Sequence, residues 1–176
     1  KDTPVCVLDT HAGIGKYDLT SVEAMKTREF QGGIGALLRA GNLPEVFAPY
    51  CNAVRQCGCR PDDTENPGWY PGSPWLARHF LRPGDRLVLS ELHPQDVQTL
   101  KGTFAGDRQV SVHHVDAYSA LKAFLPPTER RGLILIDPAF EIDNEFELVV
   151  KGLSEAYRRF ATGVYAIWFP IKERKP

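Results

Sequence analysis

Residues 131–140, RGLILIDPAF, limit what this chain can fold into more than any other stretch. Leu133, Ile134, Leu135 and Ile136 form an apolar run with no polar alternation, the pattern of a central parallel strand covered by helices on both faces. Asp137 then stands at the carboxyl end of that strand, where open α/β sheets receive their ligands. Pro138 fixes its own φ and pushes Asp137 toward an extended conformation. The expected result is a stiff turn that presents a carboxylate, the carbonyl of Pro138 and the ring of Phe140 to one spot.

Such a trio suits a planar ring carrying an exocyclic amine. The carboxylate and the carbonyl accept from the NH2 group and draw its nitrogen toward tetrahedral geometry, while the aromatic ring stacks on the face of the base. A strand that merely ends in a proline turn reads the same way over four residues, so the rest of the chain must decide. With 176 residues and 43% hydrophobic content the chain suffices for one α/β domain, and no apolar run reaches the roughly 20 residues of a membrane span. A formal net charge of -1 excludes a generally electrostatic nucleic-acid binder and leaves only local basic clusters: Arg130 with Arg131, Arg158 with Arg159, and Lys172, Arg174 and Lys175. Cys6, Cys51, Cys57 and Cys59 lack the paired spacing of a zinc site, so no metal is expected and the thiols are expected free, in a reducing cytoplasm.

In chain order, residues 5–8 read as a first strand running into a glycine-bearing turn that holds Asp9, His11 and Gly13, where the backbone can approach a cofactor closely. Residues 21–56 carry a helical pattern broken at Gly32–Gly33 and at residues 42–44, and residues 57–69 form a loop. Ser73 is the expected N-cap, and Pro74 the first residue, of a helix over 74–81. Strands over 86–90 and 110–115 end on Glu91 and Asp116, the second followed by a helix over 118–125. A helix over 144–160 is expected to bury Phe146, Val149, Val150, Leu153 and Tyr157, and residues 164–169 give a fifth strand. This alternation predicts an α/β fold, a Rossmann-like sheet with helices on both faces and a small helical insertion. Its segments are 1–19 (first strand and turn), 20–68 (insertion and loop) and 69–176 (the remainder). Glu91 either accepts from ribose hydroxyls or caps the helix after it. The glycine turn lacks the spacing that cradles a pyrophosphate, so a nucleoside without phosphates fits better. S-adenosylmethionine is one, with ribose for Glu91, adenine for Asp116 and its charged methionine end for the glycine turn.

The strings LDTHAGIGKY (8–17), WYPGSPWLAR (69–78), LSELHPQD (89–96), ERRGLILIDPAFE (129–141) and YRRFATGVYAIWFP (157–170) resemble the bacterial 23S ribosomal RNA adenine-N6 methyltransferases over nearly the whole chain. The resemblance implies transfer of a methyl group from S-adenosylmethionine to an adenine amine of large-subunit RNA. It implies that Asp9, His11, Gly13, Ser73, Glu91, Asp116 and Ala117 contact the cofactor, together with Asp137, and that Asp137, Pro138 and Phe140 carry catalysis. Ribosomal RNA is the expected partner, the chain is expected to be a monomer, and neither a metal nor a membrane is expected to take part. The same residues would serve an adenine in DNA, another amine, or a module that binds cofactor or RNA without turnover. Where the family shows Asp-Pro-Pro-Tyr this chain has Asp137-Pro138-Ala139-Phe140, and Ala117 replaces a common glycine beside the adenine. Against the family, the chain is also expected to lack an amino-terminal segment with its own histidine and lysine motif, and the final helix and two strands of the sheet.

Overall fold

The computed structural model describes residues 2–171; Lys172, Arg174 and Lys175 of the closing basic cluster lie outside the described residues. The elements, in order, are β1 (Cys6–Asp9), β2 (Lys16–Asp18), α1 (Val22–Thr27), a π-helical turn (Gln31–Gly35), α2 (Ala36–Arg39), a 3-10 turn (Glu45–Phe47), α3 (Ala48–Cys57), β3 (Trp69–Pro71), α4 (Ser73–Phe80), β4 (Arg86–Glu91), α5 (Pro94–Thr103), β5 (Val110–His114), α6 (Ala117–Phe124), β6 (Gly132–Ile136), α7 (Glu145–Arg159) and β7 (Val164–Ile167). They form two compact units, one of residues 2–14 with 80–171 and one of Gly15–His79.

In the first unit, five strands lie in the order β5-β4-β1-β6-β7, and every pair is parallel. The strand expected at the centre, β6, stands one place off it, and β1 occupies the middle. Nor is β6 covered equally on both faces. Ile134 and Ile136 are fully buried whereas Leu133 is exposed, so the uninterrupted covering belongs instead to β4, where Leu87, Val88, Leu89 and Ser90 are all buried. Ile134 and Ile136 pack with Leu121, Val149, Ala156 and Phe160, which places α6 and α7 over that face.

α7 buries a different stripe from the one its large apolar residues predict. Val149, Gly152 and Ala156 are buried, whereas Phe146, Val150 and Tyr157 are exposed. The reason is closeness: a Cβ on Gly152 would sit 2.6 Å from Cδ1 of Tyr118, so the helix approaches α6 along its smallest side chains.

Below the sheet, Asp85 ties the start of β4 to the segment before β1. It accepts from the Val5 amide at 2.9 Å, and from the Arg82 amide, Nε and Nη2 at 2.9, 3.0 and 3.0 Å. Those bonds, the Arg82 side chain's first, hold the Asp85 carboxyl down at about 2. A depressed carboxyl stabilises the fold above its unfolded value and loses that contribution as pH falls through its folded value. Asp85→Asn should therefore lower the unfolding free energy read from urea denaturation at pH 7, by on the order of 1–3 kcal/mol, and the gap to wild type should shrink as pH drops from about 4 toward about 2. A gap of constant size across that range would show that the ionised clasp is not its source.

In the second unit, β2 and β3 form an antiparallel pair with Tyr17 opposite Tyr70. The Tyr70 hydroxyl meets that of Tyr50 on α3 at 2.8 Å, over a small core of Leu19, Ile34, Val54 and Cys59. The expected break at Gly32–Gly33 is instead a π turn, while residues 42–44 do interrupt the helical pattern. Gly58, at φ +99, closes α3 in the left-handed region that glycine enters without strain. α4 opens on Ser73 itself, which is thus the first helical residue and not the cap, and the Gly72 carbonyl accepts from the Leu76 amide.

All four cysteine thiols are free and buried, Cys6 in the first unit and Cys51, Cys57 and Cys59 in the second. Burial pushes Cys6 and Cys59 each up to about 11, and raises Cys57 as well.

Candidate active site

Register sets the carboxyl ends of the strands. Asp9, the last residue of β1, pairs with Leu89 on one side and Leu135 on the other. β4 then runs two residues further, to Glu91, and β6 one, to Ile136, with Asp137 next in the chain, so these acids flank the loop that leaves β1. Sheet order reverses between β1 and β6, and a crevice opens beyond the strand ends at such a switch point.

The loop over residues 10–13 is stitched to both neighbours. Toward β6, the Thr10 amide donates to the Leu135 carbonyl at 3.1 Å and the Asp137 amide donates to His11 Nδ1 at 3.3 Å. Toward β4, the Ala12 amide donates to the Ser90 carbonyl at 3.0 Å and the Gly13 amide to Glu91 Oε2 at 2.7 Å. Gly13 adopts φ +60, a conformation that costs other residues strain, and this aims its amide at the carboxylate. The other Glu91 oxygen accepts from the His93 amide at 2.7 Å, and the His93 imidazole in turn caps α5 by accepting from Asp96. Glu91 is therefore held by two backbone donors, and each oxygen keeps a second acceptor site.

His11, Gly13, Glu91, Asp137, Pro138, Ala139 and Trp168 line a cavity of about 580 Å³ at this place. Burial pushes the His11 imidazole below its ordinary value and outweighs the Glu145, Asp137 and Glu91 carboxylates, which act in the opposite direction. The ring is accordingly neutral at pH 7, and the charge around the cavity is negative. A ligand that presents hydrogen-bond donors would find the carboxylates of Glu91 and Asp137 in this lining.

Of the residues expected at the site, His11, Gly13, Glu91, Asp137 and Pro138 come together in this lining. Asp9 is fully buried beneath it and accepts from the His11 amide at 3.2 Å. Asp116 is the N-cap of α6: its Oδ1 accepts from the Tyr118 and Ser119 amides, and hydrogen bonds from Ser119 hold its carboxyl below the usual range. Ala117, buried, is the first residue of that helix. Neither is part of the lining. Ser73 belongs to the second unit.

Phe140 has the left-handed φ of +54, and its ring packs against the core, 4.6 Å from Phe146 and 6.0 Å from Trp168. The aromatic side chain in the lining is Trp168. Sequence reasoning missed it by placing residue 168 inside a strand; β7 stops at Ile167, and the Trp168 amide donates to the Ile136 carbonyl just past the strand end. The rule that singled out the acids, to look where strands end, finds Trp168 once that boundary is set.

Strand order, parallel pairing and a ligand cavity at the switch point define a Rossmann-like α/β domain of the methyltransferase kind. The chain belongs to the family described as Ribosomal RNA large subunit methyltransferase D, RlmJ, whose model matches residues 2–176. It is 44% identical over 168 residues to the Ribosomal RNA large subunit methyltransferase J of Haemophilus influenzae, covering 96% of this chain and 59% of that one. To the protein of that name from Escherichia coli it is 43% identical over 175 residues, covering 99% of this chain and 61% of the other. The crystal structure of protein LPL1258 from Legionella pneumophila superposes with a TM-score of 0.86 at 38% identity, over 97% of this chain and 61% of that chain. The chain thus spans about three fifths of the length of these relatives. Among the described residues, no helix is long and apolar enough to cross a membrane, and no cluster of three or more His, Cys, Asp or Glu could hold a metal.

Proposed function

We propose that this protein transfers a methyl group from S-adenosylmethionine to the N6 amine of an adenine in large-subunit ribosomal RNA, in the cytoplasm where that RNA is found. The observation that carries the reading is the joint lining of one cavity by Glu91 and the 137–139 turn, at the switch point of a sheet whose family is named for this class of reaction. Glu91 suits the ribose, since its two spare acceptor sites match two hydroxyl donors. Gly13, whose amide Glu91 already holds, brings backbone close to the same ligand. When bound, S-adenosylmethionine supplies a methyl carbon activated by the adjoining sulfonium.

The chain's own residues do the rest. Asp137 and the Pro138 carbonyl accept from the two amine hydrogens, which localises the nitrogen lone pair and turns it toward the methyl carbon. Most of the acceleration comes from holding two reactants in line. As nitrogen becomes cationic its acidity rises steeply, so Asp137 can take the proton as the methyl group is transferred. Trp168, at the rim of the cavity, gives the base a flat apolar face, and base–aromatic stacking is worth roughly 1–3 kcal/mol.

The test is transfer of labelled methyl from S-adenosylmethionine by the full-length protein to unmodified 23S ribosomal RNA, followed by nucleoside analysis. Label in N6-methyladenosine is the expected result. Label in another nucleoside, or transfer to adenine in DNA but not in RNA, overturns the reading.

A further inference from the structure

We propose that the ribbon of β2 and β3 carries a platform for an unpaired stretch of the RNA substrate, with the Trp69 indole stacking on one base and Lys16 and Arg60 meeting phosphates to either side. Directly opposite residues of an antiparallel pair share a face, and successive residues alternate. With Tyr17 opposite Tyr70 and Asp18 opposite Trp69, the two tyrosines take one face, and Lys16, Asp18, Trp69 and Pro71 take the other. The first face turns inward at Tyr70, which packs on the core of the second unit and meets the Tyr50 hydroxyl. The second face leaves the Trp69 indole 46% exposed.

One exposed indole alone is ordinary; what surrounds this one is not. Its backbone is fixed, because the Trp69 amide donates to the Gly58 carbonyl at 3.4 Å, and Gly68 before it stands at φ +78 with no room for a Cβ against that same carbonyl. A ring mounted so rigidly leaves little ordering for a ligand to bring about. A cation is held on the same face: Lys16 Nζ lies 5.5 Å from the centroid of the Trp75 ring, which is itself stacked on His79 with centroids 5.3 Å apart and planes 12° from parallel. The indole face orients the ammonium and leaves N–H donors for a phosphate. Exposed Arg60 flanks the other end, where its Nε would lie 3.9 Å from a Cβ placed on Gly68. Lys16 pairs with Pro71, so the two cations bracket Trp69 along β3. Among the described residues neither Lys16 nor Arg60 forms an ion pair. Asp18, across from the indole, is turned to Thr20, whose amide and hydroxyl donate to Oδ1 at 2.8 and 2.6 Å.

A flat ring between two cations grips single-stranded nucleic acid, since every base has a face to stack and the cations follow the backbone. A duplex hides its base faces, so this arrangement favours unpaired RNA. All of these residues belong to the second unit, and none lines the cavity of the first.

The inference rests on the proposed RNA substrate, and direct binding keeps the two apart. Full-length protein is titrated, with fluorescence anisotropy as the readout, into a labelled oligouridine of about 12 nucleotides, within the span of one single-strand site, and into an RNA duplex of the same length. Trp69→Ala should raise Kd for the oligouridine about tenfold, the scale of one lost stacking partner, whereas Trp69→Phe, which keeps a flat ring, should stay within about threefold of wild type. Lys16→Gln and Arg60→Gln should each weaken binding and lower the slope of log affinity against log salt by about 0.7, one phosphate contact on a single strand. Duplex affinity should be the same in Trp69→Ala and wild type. In methyl transfer to 23S ribosomal RNA, the half-saturating RNA concentration of Trp69→Ala should rise by the same tenfold. Unchanged oligouridine affinity in Trp69→Ala, a loss that Trp69→Phe shares, or an equal loss on the duplex overturns the platform, as do unchanged salt slopes in both cation variants. A Trp69→Ala protein that no longer folds overturns it too, because the indole then packs against another part of the chain. If wild type transfers no methyl group to RNA while the binding pattern holds, the functional reading fails and the platform stands; if transfer occurs without that pattern, the platform fails alone.

Discussion

Asp137→Ala is expected to slow methyl transfer to large-subunit RNA by about three to four orders of magnitude while S-adenosylmethionine binds within a few fold of wild type. Two contributions vanish together. One is the acceptor that localises the amine lone pair and stabilises developing positive charge; the other is proton removal, typically worth about 10²–10⁴-fold. The fold should tolerate the change, since Asp137 is exposed and what His11 holds is its backbone amide, which alanine retains. Single-turnover rates with calorimetry on the same preparation check it. Near-normal rates in Asp137→Ala would leave the carboxylate as the end of a strand, with the chemistry elsewhere.

Glu91→Ala should have the largest effect on the cofactor, with affinity falling at least about tenfold, or about 1.4 kcal/mol. Two losses would add. On the proposed reading the ribose loses its acceptors; in the structure the Gly13 and His93 amides lose theirs, which frees the loop over 10–13 from Glu91. Glu91→Gln is not a mild substitute: one of its two side-chain positions becomes an NH2 that must face a backbone N–H. Both variants should weaken binding in titration calorimetry, and unchanged affinity in Glu91→Ala would remove Glu91 from the cofactor site.

The sequence made the strand ends legible because parallel strands are short apolar runs and an acid that closes one is conspicuous. Glu91 and Asp137 were found that way, and register brings them to either side of one loop. The same rule says nothing about what an acid does there. Asp116 also follows a strand, β5, yet its Oδ1 is engaged by the first amides of α6, a local competition that residue type alone cannot settle. The β2–β3 pair was invisible because three-residue strands such as Lys-Tyr-Asp are too short to show alternation. The buried stripe of α7 was misjudged for the opposite reason: its large apolar residues advertise a face, whereas close packing of helix on helix selects Gly152 and Ala156. Phe140 illustrates a further gap, since nothing in its identity announces a left-handed backbone that directs its ring toward Phe146 and the core.

The buried thiols make the chain its own breathing monitor. A thiol hidden from solvent reacts with an alkylating reagent only when the surrounding structure opens, so its labelling rate measures the free energy of that opening. Cys6 sits in β1, under the site, and reports on the sheet; Cys51, Cys57 and Cys59 report on the helical unit. Mass spectrometry of the labelled peptides therefore separates the local stabilities of the two units in a single untagged sample. A cofactor that clamps the loop after β1 should slow the reaction at Cys6 by up to a factor of one plus the ratio of cofactor concentration to Kd, the mass-action stabilisation of the closed state.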